Sequence, residues 1–503
     1  MNASKALLRA NIVANYAGQI YTTLLGVILL PLQAKELGAE GYGLVGFFAV
    51  LSGWLQLLDG GLSATLARET ANYRANALDS TSYRELLRVV ELLFAVVGVG
   101  AALTVLVCSH LVAKHWLHPE QLSASTVAEA VALMGLVFAL RWQATLSRSV
   151  LLGLERQVWL NAVTAVAATL RSVGVLLALR WIEPTPRVFF IYQAAVSGAE
   201  LLVLRFSARR SLAFPSSRLG RISFEPIRRV AGFSLRVAFT GIVWVFVTQL
   251  DKLLLSSFLP LSEYAWFSLA VAAAGGISML SFPIGQAIQP RLTYFFASGK
   301  DEDFRSTYSD ATQLLSAIAL TASIIAATAS RHILWVWTGD VQLANRVATV
   351  FSLYALGNGL LAGAAMSYYL QVACGDLRLH VRGNIAFAAV LVPTIAFATA
   401  RWGMTGAGVV WCSANLLFFL TWSAVVHRKF LPGIHLRWLL RDAALPAAFG
   451  LLPSVALGLP DWSRLSRIEG ALVLASVGIA AVAFASLATS PVQRGLRRLR
   501  TAV

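Results

Sequence analysis

The sequence predicts an all-α polytopic membrane protein of about fourteen transmembrane helices, two six-helix bundles around a central cavity plus two C-terminal helices. Three observations predict it. Of 503 residues, 57% are hydrophobic and only 13% charged, with a mean hydropathy of +0.69, whereas soluble domains carry about a quarter charged residues. The apolar residues come in runs of roughly twenty, the length that crosses a hydrocarbon core as helix, and lipid leaves backbone groups no other way of being satisfied within one segment. The basic residues, a formal excess of +17, fall in the turns between runs and not along one soluble face, so they report topology and exclude a nucleic-acid surface.

In order, the runs lie near 11–34, 43–66, 87–108, 126–148, 158–179, 187–206, 236–259, 264–289, 308–330, 347–373, 381–400, 404–427, 438–459 and 468–489. With a cytoplasmic N-terminus, the inner loops and their flanking turns hold roughly 29 Lys and Arg and the outer ones roughly 9. This bias places both termini in the cytoplasm. The start, MNASKALLRAN, is too short for the three regions of a signal peptide, so the first span is expected to be retained. Cys108, Cys374 and Cys412 sit in or beside separate spans, and their spacing implies neither a disulfide framework nor a zinc site.

Between spans six and seven lie Arg205, Arg209, Arg210, Arg218, Arg221, Arg228, Arg229 and Arg236, a topology anchor that also suits anionic headgroups. It separates two halves with weak similarity. Leu37-Gly-Ala-Glu-Gly-Tyr42-Gly aligns with Leu259-Pro-Leu-Ser-Glu-Tyr264-Ala, and with one gap Arg68 falls opposite Arg291. Six spans per half give both halves one orientation, related by an axis along the membrane normal with a cavity between them. The expected domains are therefore an N-terminal bundle at 1–206, a basic linker at 207–235, a second bundle at 236–428, and two extra helices with a basic tail at 429–503.

Charges inside spans are costly and face a protein interior or a wet cavity. Arg171 lies near the midpoint of span five, too deep to snorkel easily. Two readings are open: a bidentate contact with a phosphate or carboxylate on a passenger, or a buried pair with a carboxylate on a neighbouring span. Asp251 and Lys252 on span seven point about 100° apart, so each is expected to need its own partner. Asp251 suits a proton or a cation, and Lys252 a counter-charge for the passenger. Glu91 and Arg141, near the ends of adjacent spans, are expected to form a structural salt bridge. Asn11, Asn15 and Gln19 recur every four residues on span one, and Gln56, Asp59 and Ser63 three and four apart on span two, so each set lines one helical face. Either helix contacts or a wet interior account for them. Pro283, Gly285, Gln286, Gln289 and Pro290 make span eight breakable.

Other chemistries find no support. The outer loops, about sixteen residues or fewer, cannot hold a polymerase or ligase domain. No Gly-rich loop ends in Lys-Ser or Lys-Thr, so ATP hydrolysis is not indicated. The cytoplasmic loops carry no Asp-x-Asp metal motif of a glycosyltransferase, and His110, His115 and His118 share a loop without a preset ligand geometry. No cofactor is implied; a proton or sodium ion could serve as coupling ion.

Leu30-Pro-Leu32, Leu37-Gly-Ala-Glu-Gly-Tyr-Gly-Leu-Val-Gly46, Trp54-Leu-Gln-Leu-Leu-Asp-Gly-Gly-Leu-Ser63 and Leu66-Ala-Arg-Glu69 form an ordered set of motifs. It continues in Gln249-Leu-Asp-Lys252, Gln289-Pro-Arg-Leu292 and Gly403-Met-Thr-Gly-Ala-Gly-Val-Val-Trp411. With these the chain resembles the polysaccharide or lipopolysaccharide O-antigen flippases of the multidrug/oligosaccharidyl-lipid/polysaccharide exporter superfamily. Members often have Gly-Tyr-Tyr after span seven, where this chain has Tyr264-Ala-Trp266. The resemblance implies two bundles around a cavity of alternating access, with a cationic interior suited to a lipid-linked diphosphate sugar. It implies an undecaprenyl-diphosphate oligosaccharide as passenger, membrane lipids and other polysaccharide-assembly membrane proteins as partners, and a bacterial inner membrane as location. The alternative within the superfamily is a cation-coupled small-molecule or multidrug exporter using Asp59 and Asp251.

Overall fold

The computed structural model describes residues 2–212 and 225–494. Among them the chain is helical with no β-sheet. The helices are α1 (Asn2–Leu55), α2 (Leu62–Arg74), α3 (Ser80–His115), α4 (Ala124–Gly153), α5 (Gln157–Thr169), α6 (Val175–Trp181), α7 (Pro186–Ser211) and α8 (Glu225–Phe258). They continue as α9 (Leu261–Ser278), α10 (Ser281–Ala297), α11 (Asp301–Leu315), α12 (Thr321–Thr328), α13 (Ser330–Thr338) and α14 (Val341–Ala373). The last are α15 (Arg378–Leu417), α16 (Ser423–Phe430), α17 (His435–Arg437), α18 (Leu445–Leu451) and α19 (Arg467–Leu487).

Among the described residues, twelve stretches are long and apolar enough to cross a membrane, and two of these are of double length, 46 and 53 residues. Each double stretch holds one non-helical glycine, Gly38 (φ 72°, ψ 170°) in the first and Gly403 (φ 56°, ψ −142°) in the second. A positive φ costs glycine little, so the chain turns sharply there while helix continues on both sides. Counting two crossings for each gives the fourteen expected from the sequence. Glu40, just past the first corner, is buried, and its carboxylate accepts the backbone N–H groups of Glu120, Gln121 and Leu122 at 2.6, 2.9 and 2.7 Å. The Leu-Gly-Ala-Glu motif thus builds a corner and pins the loop between α3 and α4.

Packing divides the chain into two compact units, Met1–Ala265 and Trp266–Val503. By packing, α8 belongs to the first unit; the sequence division at the basic linker rests on the repeat, and we keep it as a proposal. Arg218 and Arg221 of that linker, and the side chains of Arg228, Arg229 and Arg236, lie outside the described residues.

The core of the first unit lies between α2, α3, α4 and α7, with Leu66, Tyr83, Phe94, Trp142, Leu151 and Leu204 each 5% exposed or less. Phe94 stacks on Trp142, whose indole N–H donates to the Phe94 carbonyl at 3.0 Å. In the second unit α10, α11, α14 and α16 close on Tyr308, Met366, Leu370 and Trp438. There Gly285 lies flat against the ring of Tyr369, and any side chain at that position would overlap it. The residues expected to make span eight breakable, Pro283, Gly285, Gln286, Gln289 and Pro290, all lie inside the continuous helix α10; the interruption falls before them, at 279–280 between α9 and α10.

Candidate functional site

A buried polar cluster of the first unit is built by α4, α7 and the turn between α5 and α6. Gln193, Ser197 and Glu200 stand four and three residues apart on α7 and therefore share one face, and all three are buried. Arg141 and Arg148, two turns apart on α4, face them. Arg141 donates to Gln193 Oε1 at 2.7 Å and Ser197 Oγ at 3.2 Å, and its guanidinium sits 5.2 Å from the ring centre of Phe48. Arg148 donates to Thr164 Oγ1 at 2.9 Å and pairs with Glu200 Oε1. Arg171 pairs with the other oxygen, Glu200 Oε2.

Arg171 lies in a π-helical turn, Leu170–Gly174. Its carbonyl accepts from Gln193 Nε2 at 3.1 Å. One connected network thus runs from Arg141 through Gln193 and Arg171 to Glu200 and Arg148. It sets three guanidiniums against one carboxylate. Arginine stays protonated at any working pH, so the excess cannot be titrated away. The Arg148 and Arg171 side chains keep 29% and 21% of their surface while Glu200 keeps 2%, so the anion is enclosed and the cations reach outward. Arg171 Nε is buried with no hydrogen-bond partner.

Of the two readings open for Arg171, the carboxylate partner is therefore present, but it is shared. Glu200, Gln193 and Ser197 escaped the sequence reading although their 4-and-3 spacing is the signal read on spans one and two. The expected Arg141–Glu91 salt bridge is not formed: Arg141 turns to α7 and Phe48 instead.

The other candidates lie elsewhere. Asp251 and Lys252 do meet, contrary to expectation, with Lys252 Nζ 3.3 Å from Asp251 Oδ1 and also donating to the Thr248 carbonyl. The helical angle separates the Cβ atoms, but the four-carbon lysine stem curls back far enough to close the gap. Asn15 donates to Gln157 Oε1 and accepts from Asn161 Nδ2, each at 2.6 Å, and Asn11 donates to the Glu155 carbonyl at 3.3 Å. Their stripe joins α1 to α5 and the turn before it, while Gln19 is exposed. Gln56, Asp59 and Ser63 do not line a continuous helix: a tight turn of helix covers Gln56–Asp59, and Gly60 and Gly61, both left-handed, separate it from α2. Asp59 accepts from Ser63 N at 3.3 Å and from the Ser63 hydroxyl, bridging the break, and Gln56 is exposed. Among the described residues no three His, Cys, Asp or Glu side chains gather as metal ligands.

The comparisons with known proteins agree with this architecture. The family model described as "Polysaccharide biosynthesis protein" matches residues 8–296. A Shigella flexneri protein described as "Putative O-antigen transporter" is 22% identical over 415 residues, covering 80% of this chain and 93% of its own. Among solved structures, the lipid II flippase MurJ in an inward closed conformation matches 97% of this chain and 99% of its own, at a TM-score of 0.72 and 12% identity. An inward-facing MATE family multidrug transporter of the MOP superfamily matches 81% and 96%, at 0.60 and 14%. These structures share the fold. On its apolar helices and the match over more than half its length, this chain is a multi-pass membrane protein that belongs to the family described as polysaccharide biosynthesis protein.

Proposed function

We propose that the chain flips a lipid-linked oligosaccharide, carried on an undecaprenyl diphosphate, across the bacterial inner membrane by alternating access during surface polysaccharide assembly. The observation that carries this reading is the network of Arg141, Arg148 and Arg171 around the single carboxylate of Glu200, two positive charges in excess among apolar helices. A diphosphate bare in hydrocarbon costs many kcal/mol. An interior with surplus, fixed guanidinium charge lowers that cost, and planar N–H forks match phosphate oxygens. The buried, unbonded Nε of Arg171 offers a further donor to such a group. The O-antigen transporter description of the Shigella relative supports a glycan passenger.

A cation-coupled drug exporter would need an open acidic site, and Asp251 and Asp59 are instead engaged by Lys252 and Ser63. The reading is tested in a strain lacking the gene and any redundant flippase. Lipid-linked glycan should accumulate on the cytoplasmic leaflet with loss of surface glycan, and normal surface glycan would refute it.

A further inference from the structure

A second basic site lies apart from the network just described, where the N-terminal end of α3 meets the C-terminal ends of α4 and α7. Among the described residues, a cavity of about 360 Å³ is lined there by Arg84, Arg88, Arg205 and Arg209, together with Glu91. Arg84, Arg88 and Glu91 are spaced four and three apart on α3, and Arg205 and Arg209 four apart on α7, so each set projects from one helical face toward the same space. The floor is apolar, formed by Leu87, Leu146, Val150 and Leu212. Arg84 and Arg88 are half-buried and Arg205 and Arg209 exposed, which leaves the cavity open on the α7 side.

Basic side chains on a concave wall exceed what topology alone requires, since an anchor needs charge near the surface but no cavity. A basic pocket between transmembrane helices at their cytoplasmic ends, floored by aliphatic side chains, matches a phosphate headgroup whose acyl chains continue along apolar surface. Guanidinium forks bind phosphate oxygens in pairs, which favours a fixed headgroup over a diffuse ionic cloud.

We propose that this cavity is a binding site for the phosphate headgroup of an anionic phospholipid, separate from the passenger site. The inference does not rest on the flippase reading, because the ligand is a resident lipid and its binding is measured without transport.

The test uses the full-length protein purified in detergent, with lipid retention read by native mass spectrometry and by thermal unfolding. Phosphatidylglycerol or cardiolipin should be retained and should raise the unfolding temperature, and phosphatidylcholine should not. Near a membrane surface each basic residue contributes a factor of about five in binding, so Arg88→Gln/Arg205→Gln should weaken retention about 25-fold. Arg210→Gln is the control, since Arg210 lines a different groove with Arg156, Trp159 and Phe206; it should retain the lipid as the wild type does. Equal retention of phosphatidylcholine, wild-type retention by the double variant, or equal stabilisation by inorganic phosphate alone would each overturn the assignment.

Discussion

Removing Glu200 should cost the folded protein more than removing Arg171, although both should abolish transport. Glu200 is 2% exposed at its side chain and holds Arg148 on one oxygen and Arg171 on the other. Glu200→Ala leaves two partly buried guanidiniums sharing a vacated site, and breaking a buried pair from one side costs roughly 3–5 kcal/mol. Against a total stability on the order of 5–15 kcal/mol, that loss should sharply lower the amount of folded protein. Arg171→Ala is milder. Arg148 stays on Glu200, the carboxylate remains compensated one to one, and the loss is about one charge-assisted hydrogen bond, roughly 1.5–3 kcal/mol. Arg171→Lys should restore part of the function as a point charge. Arg148→Ala/Arg171→Ala strands the carboxylate, so its cost should exceed the sum of the single losses. Membrane abundance and detergent unfolding temperature read the fold, and complementation of surface glycan reads transport. A normally abundant Glu200→Ala protein beside a poorly folded Arg171→Ala protein would refute the shared-carboxylate account. Wild-type export by Arg171→Ala would remove Arg171 from the passenger site.

Glu40→Gln should lower the unfolding temperature without a direct effect on the passenger site, because one amide oxygen replaces two carboxylate oxygens that accept three backbone N–H groups; we expect a loss of roughly 2 kcal/mol, measured by unfolding in detergent, and an unchanged protein would show that the corner does not need the charge. Gly174→Ala places a methyl group onto the Tyr192 hydroxyl beside the π-helical turn. Overpacking of this kind costs about 1–3 kcal/mol, so abundance should fall modestly while transport falls further, through displacement of the adjacent Gln193 and Arg171, as complementation would show.

The crossings were legible because length and apolarity decide what spans a bilayer, and the corners at Gly38 and Gly403 fall where the runs at 11–34 and 43–66, and at 381–400 and 404–427, were parted. That Arg171 needs a partner was equally legible, since a fixed charge in an apolar run is costly without one. Which partner was not. Glu200 is 29 residues away in sequence and reaches Arg171 only because α7 packs beside the π-helical turn, a matter of helix neighbours that periodicity on one span cannot supply. The stripe of Asn11 and Asn15 was correctly placed on one face, but a helical face does not say whether water or α5 lies opposite, and α5 does. Asp59 misled for a local reason: its spacing to Ser63 is that of a helix, yet two left-handed glycines between them turn the pair into a bridge across a break. Lys252 misled through its length, because Cβ directions fix where short side chains point and not where a flexible lysine ends.

The central claim is that this single chain moves a lipid-linked oligosaccharide between leaflets. Its most direct test is purified protein in sealed proteoliposomes containing an undecaprenyl-diphosphate oligosaccharide, with the fraction in the outer leaflet followed by a membrane-impermeant glycan-modifying reagent under an imposed proton or sodium gradient. The account predicts that wild-type protein renders inner-leaflet lipid accessible without nucleotide, and that an equal amount of folded Arg171→Ala protein does not. Accessibility no greater than in protein-free vesicles under either gradient, or equal to wild type for Arg171→Ala, would contradict it.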